Sequence, residues 1–353
     1  MSCLPMIDPH VHLRDWNQAE KETLGHGMEV AFRCGIDELF DMPNTNPPLT
    51  TEAAIRKRLE DASYCNKDVR YHLWAGMTSD LVQVEQAASL AKTLFPSVIG
   101  LKLFAGHSTG NMGLVDEAMQ LWIYRTLAKV GYEGMVAVHC EKESLLNPDL
   151  EDEKDFSTHS LARPVEAEVV SVLDQIRLSG EAGFKGHLHI CHLSSIEALI
   201  VIEEAKRNHR RISCAVTPHH ALLSEEDAKD HSLYAKMNPP LRNETQRSSL
   251  FAALLGGRVD WIETDHAPHT LKDKEAGACG IPGFSGLLLL VKQLIEHGAA
   301  PGLLTQLLGG RVLQVARLRE REITIPSYDQ LSALSLAASL DYPYDSFAKL
   351  RLR

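Results

Sequence analysis

Short apolar runs alternate along the chain with longer stretches in which apolar residues recur at helical spacing. Short runs rich in apolar and β-branched residues are typical of buried strands. The predicted strands are Met6–His12, Asp37–Met42, Tyr71–Ala75, Val98–Phe104, Met135–His139, His187–His192, Ile212–Thr217 and Val259–Thr264. The predicted helices between them are Glu52–Tyr64, Asp80–Leu94, Asp116–Val130, Pro164–Leu178, Ser195–Asn208 and Thr245–Leu255. This alternation indicates parallel β/α units.

Eight parallel units are the number that closes a (β/α)8 barrel. An open, doubly wound sheet is the alternative, but the sequence lacks the glycine-rich phosphate turn that many such folds carry. We therefore predict an α/β TIM barrel over residues 1–318, ending with helices at Leu287–His297 and Leu303–Leu318. Residues 319–353 are predicted to form a C-terminal extension packed on that barrel.

The composition is that of a globular protein with a substantial core, since 44% of the 353 residues are hydrophobic and 24% are charged. The formal net charge of -11 argues against a nucleic-acid binder. The seven cysteines form no CxxC pair, which suits reduced thiols better than a disulfide framework. No targeting segment or membrane span is recognisable. We expect a cytoplasmic protein that binds neither nucleic acid nor membrane.

A lysine, Lys102, lies near the end of the apolar strand Val98–Phe104. An isolated ammonium is strongly disfavoured in an apolar setting, so this residue needs an explanation. Carboxylation of its amine by carbon dioxide would give a carbamate anion able to bridge two metal ions. The other polar candidates also fall at the C-terminal ends of predicted strands, which is where a TIM barrel keeps its active site.

Two histidines, His10 and His12, lie near the end of the first predicted strand. Side chains alternate with period two along a strand, so both imidazoles face the same side and can bind one ion. A single HxH motif is weak support, and surface or structural histidines are the alternative. The neighbouring Asp8, Arg14 and Asp15 make this strand end a dense polar cluster.

Two further histidines, His139 and His192, end the fifth and sixth predicted strands. Taken alone, each is more often a satisfied core histidine than a ligand. His192 is preferred over His189 because it lies nearest the catalytic end. Cys140 and Cys191 are neighbours that could bind zinc, but the interpretation we favour is that they are small apolar residues filling the strands.

Asp265 follows the last predicted strand and opens the segment Asp265-His266-Ala267-Pro268-His269. A carboxylate there can bind a metal ion and accept a proton from metal-bound water. Four histidines, one aspartate and a carbamate suit zinc, with manganese or cobalt as substitutes. A hydroxide bridging two such ions would be a strong nucleophile at neutral pH.

Taken together, these segments resemble the motifs of dihydroorotases, which belong to the amidohydrolase superfamily. The motifs are Asp8-Pro9-His10-Val11-His12-Leu13-Arg14, Met42-Pro43-Asn44-Thr45, Gly100-Leu101-Lys102-Leu103, Val138-His139-Cys140-Glu141, Ile190-Cys191-His192 and Thr264-Asp265-His266-Ala267-Pro268-His269. Related cyclic amidohydrolases share any one of them, whereas the combination with Arg14 and Asn44 is more specific. Dihydroorotases interconvert N-carbamoyl-L-aspartate and L-dihydroorotate in de novo pyrimidine biosynthesis.

The resemblance implies a centre of two divalent metal ions, with Zn2+ favoured, in which Asp265 is also the general base and acid. Lys102 would bridge the ions as N6-carboxylysine. The implied metal ligands are His10, His12, Lys102, His139, His192 and Asp265. The implied substrate-binding residues are His12, Arg14, Asn44, Asn238, His269 and Pro282.

The chain also departs from the family pattern. Its first predicted strand comes almost at once, so we expect a barrel without the flanking β-sandwich of many relatives. Many relatives carry a glutamate in the seventh-strand motif, which here reads Cys214-Ala215-Val216-Thr217-Pro218-His219-His220. Residues 106–113, with Ser108-Thr109-Gly110-Asn111, resemble a loop that closes on substrate in some members.

Two alternative functions and several partners remain open at this point. A dihydropyrimidinase, hydantoinase or allantoinase is the nearest alternative activity. An inactive homologue that scaffolds aspartate carbamoyltransferase is an alternative of another class. Candidate partners are the small-molecule substrate, a second copy of the chain in a homodimer, and aspartate carbamoyltransferase.

Overall fold

Eight parallel strands form one sheet in the order β1 to β8. The computed structural model describes residues 6–66, 68–108, 112–152, 155–208 and 210–352. The strands are β1 (Met6–Val11), β2 (Ile36–Asp41), β3 (Arg70–Gly76), β4 (Val98–Phe104), β5 (Met135–His139), β6 (His187–Ile190), β7 (Ile212–Val216) and β8 (Trp261–Ile262). This topology confirms the predicted (β/α)8 barrel.

Burial on both faces explains why the strands are short apolar runs. Six of the eight strands are buried at every residue, as expected for a parallel sheet covered by helices. The ring closes just beyond the end of β8, because the His12 amide donates to the His266 carbonyl at 2.7 Å. The Thr264 amide also donates to Asp8 Oδ1 at 3.1 Å.

One long helix follows each strand. The helices are Leu24–Arg33, Glu52–Ser63, Leu81–Thr93, Glu117–Lys129, Val165–Glu181, Ile196–Arg207, Glu244–Leu255 and Phe284–Glu296. Side chains that accept a backbone hydrogen bond cap many of their first turns. These capping residues include Thr51, Asp80, Asp116, Ser195 and Asn243. Within the described ranges, no helix has the length and apolar character needed to cross a membrane.

Shorter helices lie in the loops. The short α-helices are His159–Ala162, Pro218–Leu222, Glu225–His231 and Leu271–Glu275. The 3-10 turns are Glu143–Leu145, Pro148–Leu150, Phe156–Thr158, Ser232–Ala235 and Ala348–Leu352. All of these except Ala348–Leu352 lie in the loops that follow β5, β7 and β8, at the C-terminal ends of those strands.

The prediction of one helix over Leu303–Leu318 is wrong. The chain forms the helix Pro301–Thr305, a π-helical turn over Gln306–Gly310 and the helix Arg311–Val315. Gly309 breaks the run with a φ of 152°. A Cβ at Gly309 would lie 2.9 Å from side-chain atoms of both Ile7 and Ile323, so this close approach requires glycine.

The C-terminal segment packs against the last barrel helix. The helix Tyr328–Ser339 lies along Phe284–Glu296, and the Ser335 hydroxyl donates to the Ser285 carbonyl at 2.8 Å. Farther on, the Tyr342 hydroxyl donates to Glu22 Oε1 at 2.8 Å. The tail therefore reaches the segment that follows β1. The division into units at 318 and 319 stays a prediction.

Candidate active site

A small cavity lies at the C-terminal ends of the strands. Most of the residues predicted to form the site line it, although they come from strands far apart in sequence. The lining residues are His10, His12, Arg14, Asn44, Lys102, Phe104, Ser108, His139, His192, Asn238, Asp265, Ala267, Cys279 and Gly280. The barrel fold thus brings together residues that the sequence separates by more than two hundred positions.

One half of the site joins the end of β1 to the segment after β8. Asp265 Oδ1 lies 3.3 Å from His10 Nε2 and 3.0 Å from His12 Nε2. These three side chains are buried, and their ligand atoms all lie within 4.8 Å of one another. Two imidazoles and a carboxylate at that spacing can hold one metal ion.

The other half of the site joins the ends of β5 and β6. His139 Nδ1 lies 3.2 Å from His192 Nε2, and His139 Nε2 lies 2.9 Å from Glu141 Oε2. Both imidazoles are buried. The Nδ1 atom of His192 is buried with no hydrogen-bond partner among the described residues. These two histidines form a second group that could hold an ion.

Two of these residues adopt an uncommon backbone conformation. The φ angle is 34° at His192 and 50° at Asp265, in the left-handed region that side chains with a Cβ rarely occupy. His192 lies beyond the end of β6, so the period-two alternation of the strand does not decide which way it faces. Such conformations persist where the surrounding structure imposes them, and they cluster at active sites.

Lys102 is fully buried on β4 between the two halves of the site. Its Nζ atom donates to Cys191 Sγ at 3.2 Å and lies 4.9 Å from the centre of the Phe104 ring. Among the described residues, no carboxylate lies within ion-pair distance of this amine. An ammonium there has only weak compensation for its lost hydration.

Glu263 is a site residue that our sequence analysis did not identify. Its carboxylate lies 3.0 Å from both His10 Nδ1 and His189 Nε2, and it accepts the His192 backbone amide at 2.8 Å. Glu263 thus contacts both halves of the site and fixes the ring orientation of His10. The available signal was an acidic residue inside an apolar strand, two positions before Asp265.

The residues predicted to bind substrate fall into two groups. Arg14 and Asn44 line the cavity, and Asn44 Oδ1 lies 2.5 Å from His12 Nδ1. His269 and Pro282 are buried but do not line it. His269 instead contacts Arg14, since its Nε2 atom lies 3.2 Å from Arg14 Nη2. Asn238 also lines the cavity, and its Oδ1 atom lies 2.9 Å from His159 Nε2.

The predicted closing loop is described only in part. Ser108 lines the cavity. Thr109, Gly110 and Asn111 lie outside the described residues, so closure of the loop stays a prediction.

The surroundings of the site residues favour neutral histidines and an ionised aspartate. Burial lowers the pKa of His10 to about 4 and also lowers the pKa values of His139 and His192. For Asp265, burial opposes ionisation, but His10 and His12 outweigh it and hold the pKa below its usual value. Neutral imidazoles and an ionised carboxylate are the forms that bind metal ions.

The donor set fits a centre of divalent ions. The nitrogen and oxygen donors are the types that zinc accepts. Besides the free Nδ1 atom of His192, both ring nitrogens of the buried His219 are without a partner among the described residues. Buried polar atoms are nearly always paired, so the orphan nitrogen of His192, which lines the cavity, is consistent with a group that binds there.

No protein-family model matches the chain. The chain is 34% identical to a dihydroorotase of Bacillus cereus over 303 residues, which cover 83% of this chain and 67% of that protein. It is also 34% identical to a dihydroorotase of Shouchella clausii over 305 residues, which cover 85% of this chain and 68% of that protein.

Solved structures of cyclic amidohydrolases share the fold. The L-hydantoinase (dihydropyrimidinase) of Arthrobacter aurescens superposes with a TM-score of 0.81 and 22% identity, covering 91% of this chain and 72% of that one. A dihydroorotase of Saccharomyces cerevisiae, solved with 5-fluoroorotic acid, gives a TM-score of 0.74 and 18% identity. That match covers 92% of this chain and 86% of the yeast chain. At these identities the structures establish the fold alone.

Proposed function

Because the chain belongs to the dihydroorotase family of cyclic amide hydrolases, we propose that its cavity interconverts N-carbamoyl-L-aspartate and L-dihydroorotate. The observation that carries this proposal is Arg14. It is buried at the cavity, and its neighbours in hydrogen-bond contact are the Pro268 carbonyl and the His269 imidazole. No carboxylate among the described residues lies within ion-pair distance of it. A substrate carboxylate would supply the missing partner, and a guanidinium binds a carboxylate through two parallel donors.

The site would hold two divalent ions, of which zinc suits the donors best. His10, His12 and Asp265 would bind the first ion, and His139 and His192 the second. Lys102 would bridge them as N6-carboxylysine, which replaces a buried ammonium by an anion. When bound, such ions polarise a carbonyl and make water a better nucleophile.

The chain's own residues would bind and orient the substrate and carry a proton from the attacking water to the leaving nitrogen. Arg14 and Asn44 hold the carboxylate, while His269 and Pro282 support the loop around it and Asn238 contacts the ring. Asp265 takes a proton from the attacking water and delivers it to the ring nitrogen that leaves. In the direction of cyclisation the same carboxyl group runs these transfers in reverse.

A side-by-side assay on dihydroorotate and dihydrouracil tests the proposal, because dihydrouracil lacks the carboxylate. We expect turnover of dihydroorotate and little of dihydrouracil. Faster turnover of dihydrouracil would assign the site to a dihydropyrimidinase instead. Metal analysis, together with the intact mass of the Lys102 peptide, tests the two ions and the added carboxyl group.

We also propose a homodimer in the cytoplasm and association with aspartate carbamoyltransferase. The support is the family resemblance and the six cysteines of the described residues, which form no disulfide. Light scattering on the purified chain, alone and mixed with the transcarbamoylase, measures both assemblies. A monomer that elutes apart from the transcarbamoylase would contradict them.

A further inference from the structure

Three side chains that the proposed reaction does not use meet at the rim of the cavity. They belong to Glu151, His159 and Cys279. His159 Nδ1 lies 3.0 Å from Glu151 Oε2, and His159 Nε2 lies 3.9 Å from Cys279 Sγ. Cys279 lines the cavity. A thiol beside an imidazole that is oriented by a carboxylate is the arrangement that activates a cysteine as a nucleophile.

The hydrogen-bond partners of His159 favour its charged form. Nδ1 faces the Glu151 carboxylate, and Nε2 lies 2.9 Å from Asn238 Oδ1. With the Asn238 amide oriented in this way both oxygens accept, which favours a ring with hydrogen on both nitrogens. Burial alone would lower the pKa of His159, but the contacts with Cys279 and Glu151 outweigh it and raise that pKa to about 9.

The imidazolium in turn favours the thiolate of Cys279. Burial opposes ionisation of this thiol, but the hydrogen bond and charge of His159 outweigh burial and lower the pKa of Cys279. Cys65 provides a contrast within the same chain. It is partly buried like Cys279, yet burial raises its pKa. Thiolates next to a cationic histidine are the reactive cysteines of proteins.

The loop that carries Cys279 is held in place. The buried Lys274 ammonium donates to the carbonyls of Ala278 at 2.8 Å and Gly280 at 3.0 Å. These two residues flank Cys279, so the backbone on both sides of it is anchored and keeps the residue at the cavity. A group added to the sulfur would therefore stay where the substrate binds.

We propose that Cys279 is a redox-sensitive modification site: a hydroperoxide that enters the cavity oxidises its sulfur, and the product obstructs substrate binding. The sulfur attacks one peroxide oxygen, so an S–O bond forms as the O–O bond breaks. Sulfur loses two electrons and the peroxide gains them. With hydrogen peroxide, the leaving hydroxide takes a proton from His159 and departs as water, which leaves a sulfenic acid. The obstruction of substrate rests on the proposed function of the cavity.

Alkylation rates test the thiolate without any need for activity. The metal-loaded protein is treated with limiting iodoacetamide at pH 7, and the Cys279 and Cys65 peptides are followed by mass spectrometry. We expect Cys279 to react at least about ten-fold faster than Cys65, and His159→Gln to slow it about ten-fold. Equal rates at the two cysteines in the wild-type protein would overturn the proposal.

Peroxide sensitivity tests the consequence for activity. Wild type, Cys279→Ala and the matched control Cys65→Ala are each compared with their own untreated rate on dihydroorotate. We expect peroxide to inactivate wild type and the control, a thiol reductant to restore them, and Cys279→Ala to keep its rate. Equal loss in all three would overturn the regulatory role. A wild-type protein inactive before treatment would overturn the proposed function and this role with it, whereas the alkylation rates judge the thiolate alone.

Discussion

At the scale of single residues, Arg14 is the side chain that we propose selects the ligand of the cavity. Its guanidinium is buried and contacts a carbonyl oxygen and an imidazole nitrogen. Burial and the neighbouring charge of Arg14 lower the pKa of His269 to about 2, so this imidazole stays neutral and can accept from Arg14. A full positive charge held by neutral acceptors favours an anionic ligand.

Arg14→Lys keeps the charge but loses the paired donors, so we expect it to separate the two substrates. The value of kcat/KM for dihydroorotate should fall by about 30-fold, equivalent to about 2 kcal/mol. The low rate on dihydrouracil should stay unchanged, because that ring has no carboxylate. An equal fall for both substrates would show that Arg14 acts by supporting the fold.

Asp265→Asn should remove the proton carrier while keeping the size of the side chain. We expect kcat to fall at least about 100-fold, with metal binding partly retained through the histidines. Steady-state rates and metal content on the same samples measure both effects. The exposed Asp149→Asn is the matched control, and full activity of the Asp265 variant would contradict its role.

Lys102→Ala removes the proposed bridge, so we expect it to lower the metal content of the purified protein. The exposed Lys129→Ala is the control for loss of a lysine. Elemental analysis after dialysis gives the number of ions per chain. Retention of two ions in the Lys102 variant would contradict the bridging role.

At the scale of elements, the ends of the strands carry the chemistry and the backbone there is irregular. β8 has only two residues in the sheet, yet the segment that follows it supplies both Glu263 and Asp265. Glu263 in turn reaches residues that belong to the ends of β1 and β6. The segment after this short last strand therefore orients residues at the ends of β1 and β6.

Glu263→Gln keeps the size of this side chain and removes its charge. Carboxylates that orient metal-binding histidines raise the basicity of the ring, so we expect metal affinity to fall by about 10- to 100-fold. Competition with a chromophoric chelator measures this affinity, and thermal unfolding of the metal-free protein reports any loss of fold. Unchanged affinity would show that Glu263 serves packing alone.

The local pattern of residues explains which elements the sequence could predict and which it could not. Buried parallel strands are continuous apolar runs, so all eight were found within a few residues. The helix Leu24–Arg33 was missed because Gly25 and Gly27 lower helix propensity in its first turns. The alternation along a strand could not predict how His192 faces the cavity, because its left-handed φ turns the chain out of that pattern.

At the scale of the whole molecule, the segment after β1 and the C-terminal segment meet at His266, next to Asp265. The Glu22 carboxylate lies 3.1 Å from His266 Nε2 and accepts the Tyr342 hydroxyl at 2.8 Å. His266 also stacks on Phe284, with ring centres 3.9 Å apart. The ring of His266, next to Asp265, is thus fixed by residues from three parts of the chain. These are the segment after β1, the last barrel helix and the C-terminal tail.

Glu22 should make the stability of the whole molecule depend on acidity. Burial opposes its ionisation, but His266 and the hydrogen bonds outweigh it and lower its pKa from 4.5 to about 2. A depressed carboxyl pKa stabilises the fold above the unfolded pKa, and this contribution is lost as pH falls from 4.5 toward 2.

Urea unfolding of wild type and Glu22→Gln across this pH range measures the effect. The free energy of unfolding of wild type should fall by up to about 3 kcal/mol more than that of the variant. Parallel pH profiles would contradict the stabilising role of the carboxylate.

The contact between His12 and Asp265 has a consequence for biosynthesis, because it spans 253 positions of the sequence. At a synthesis rate of roughly 5–20 residues per second, His12 is added to the chain about 13–50 s before Asp265. During that interval the nascent chain carries the two histidines of the proposed first metal site but lacks its carboxylate. For the proposed site, we therefore expect high affinity for the ion to arise only after translation has passed the last strand.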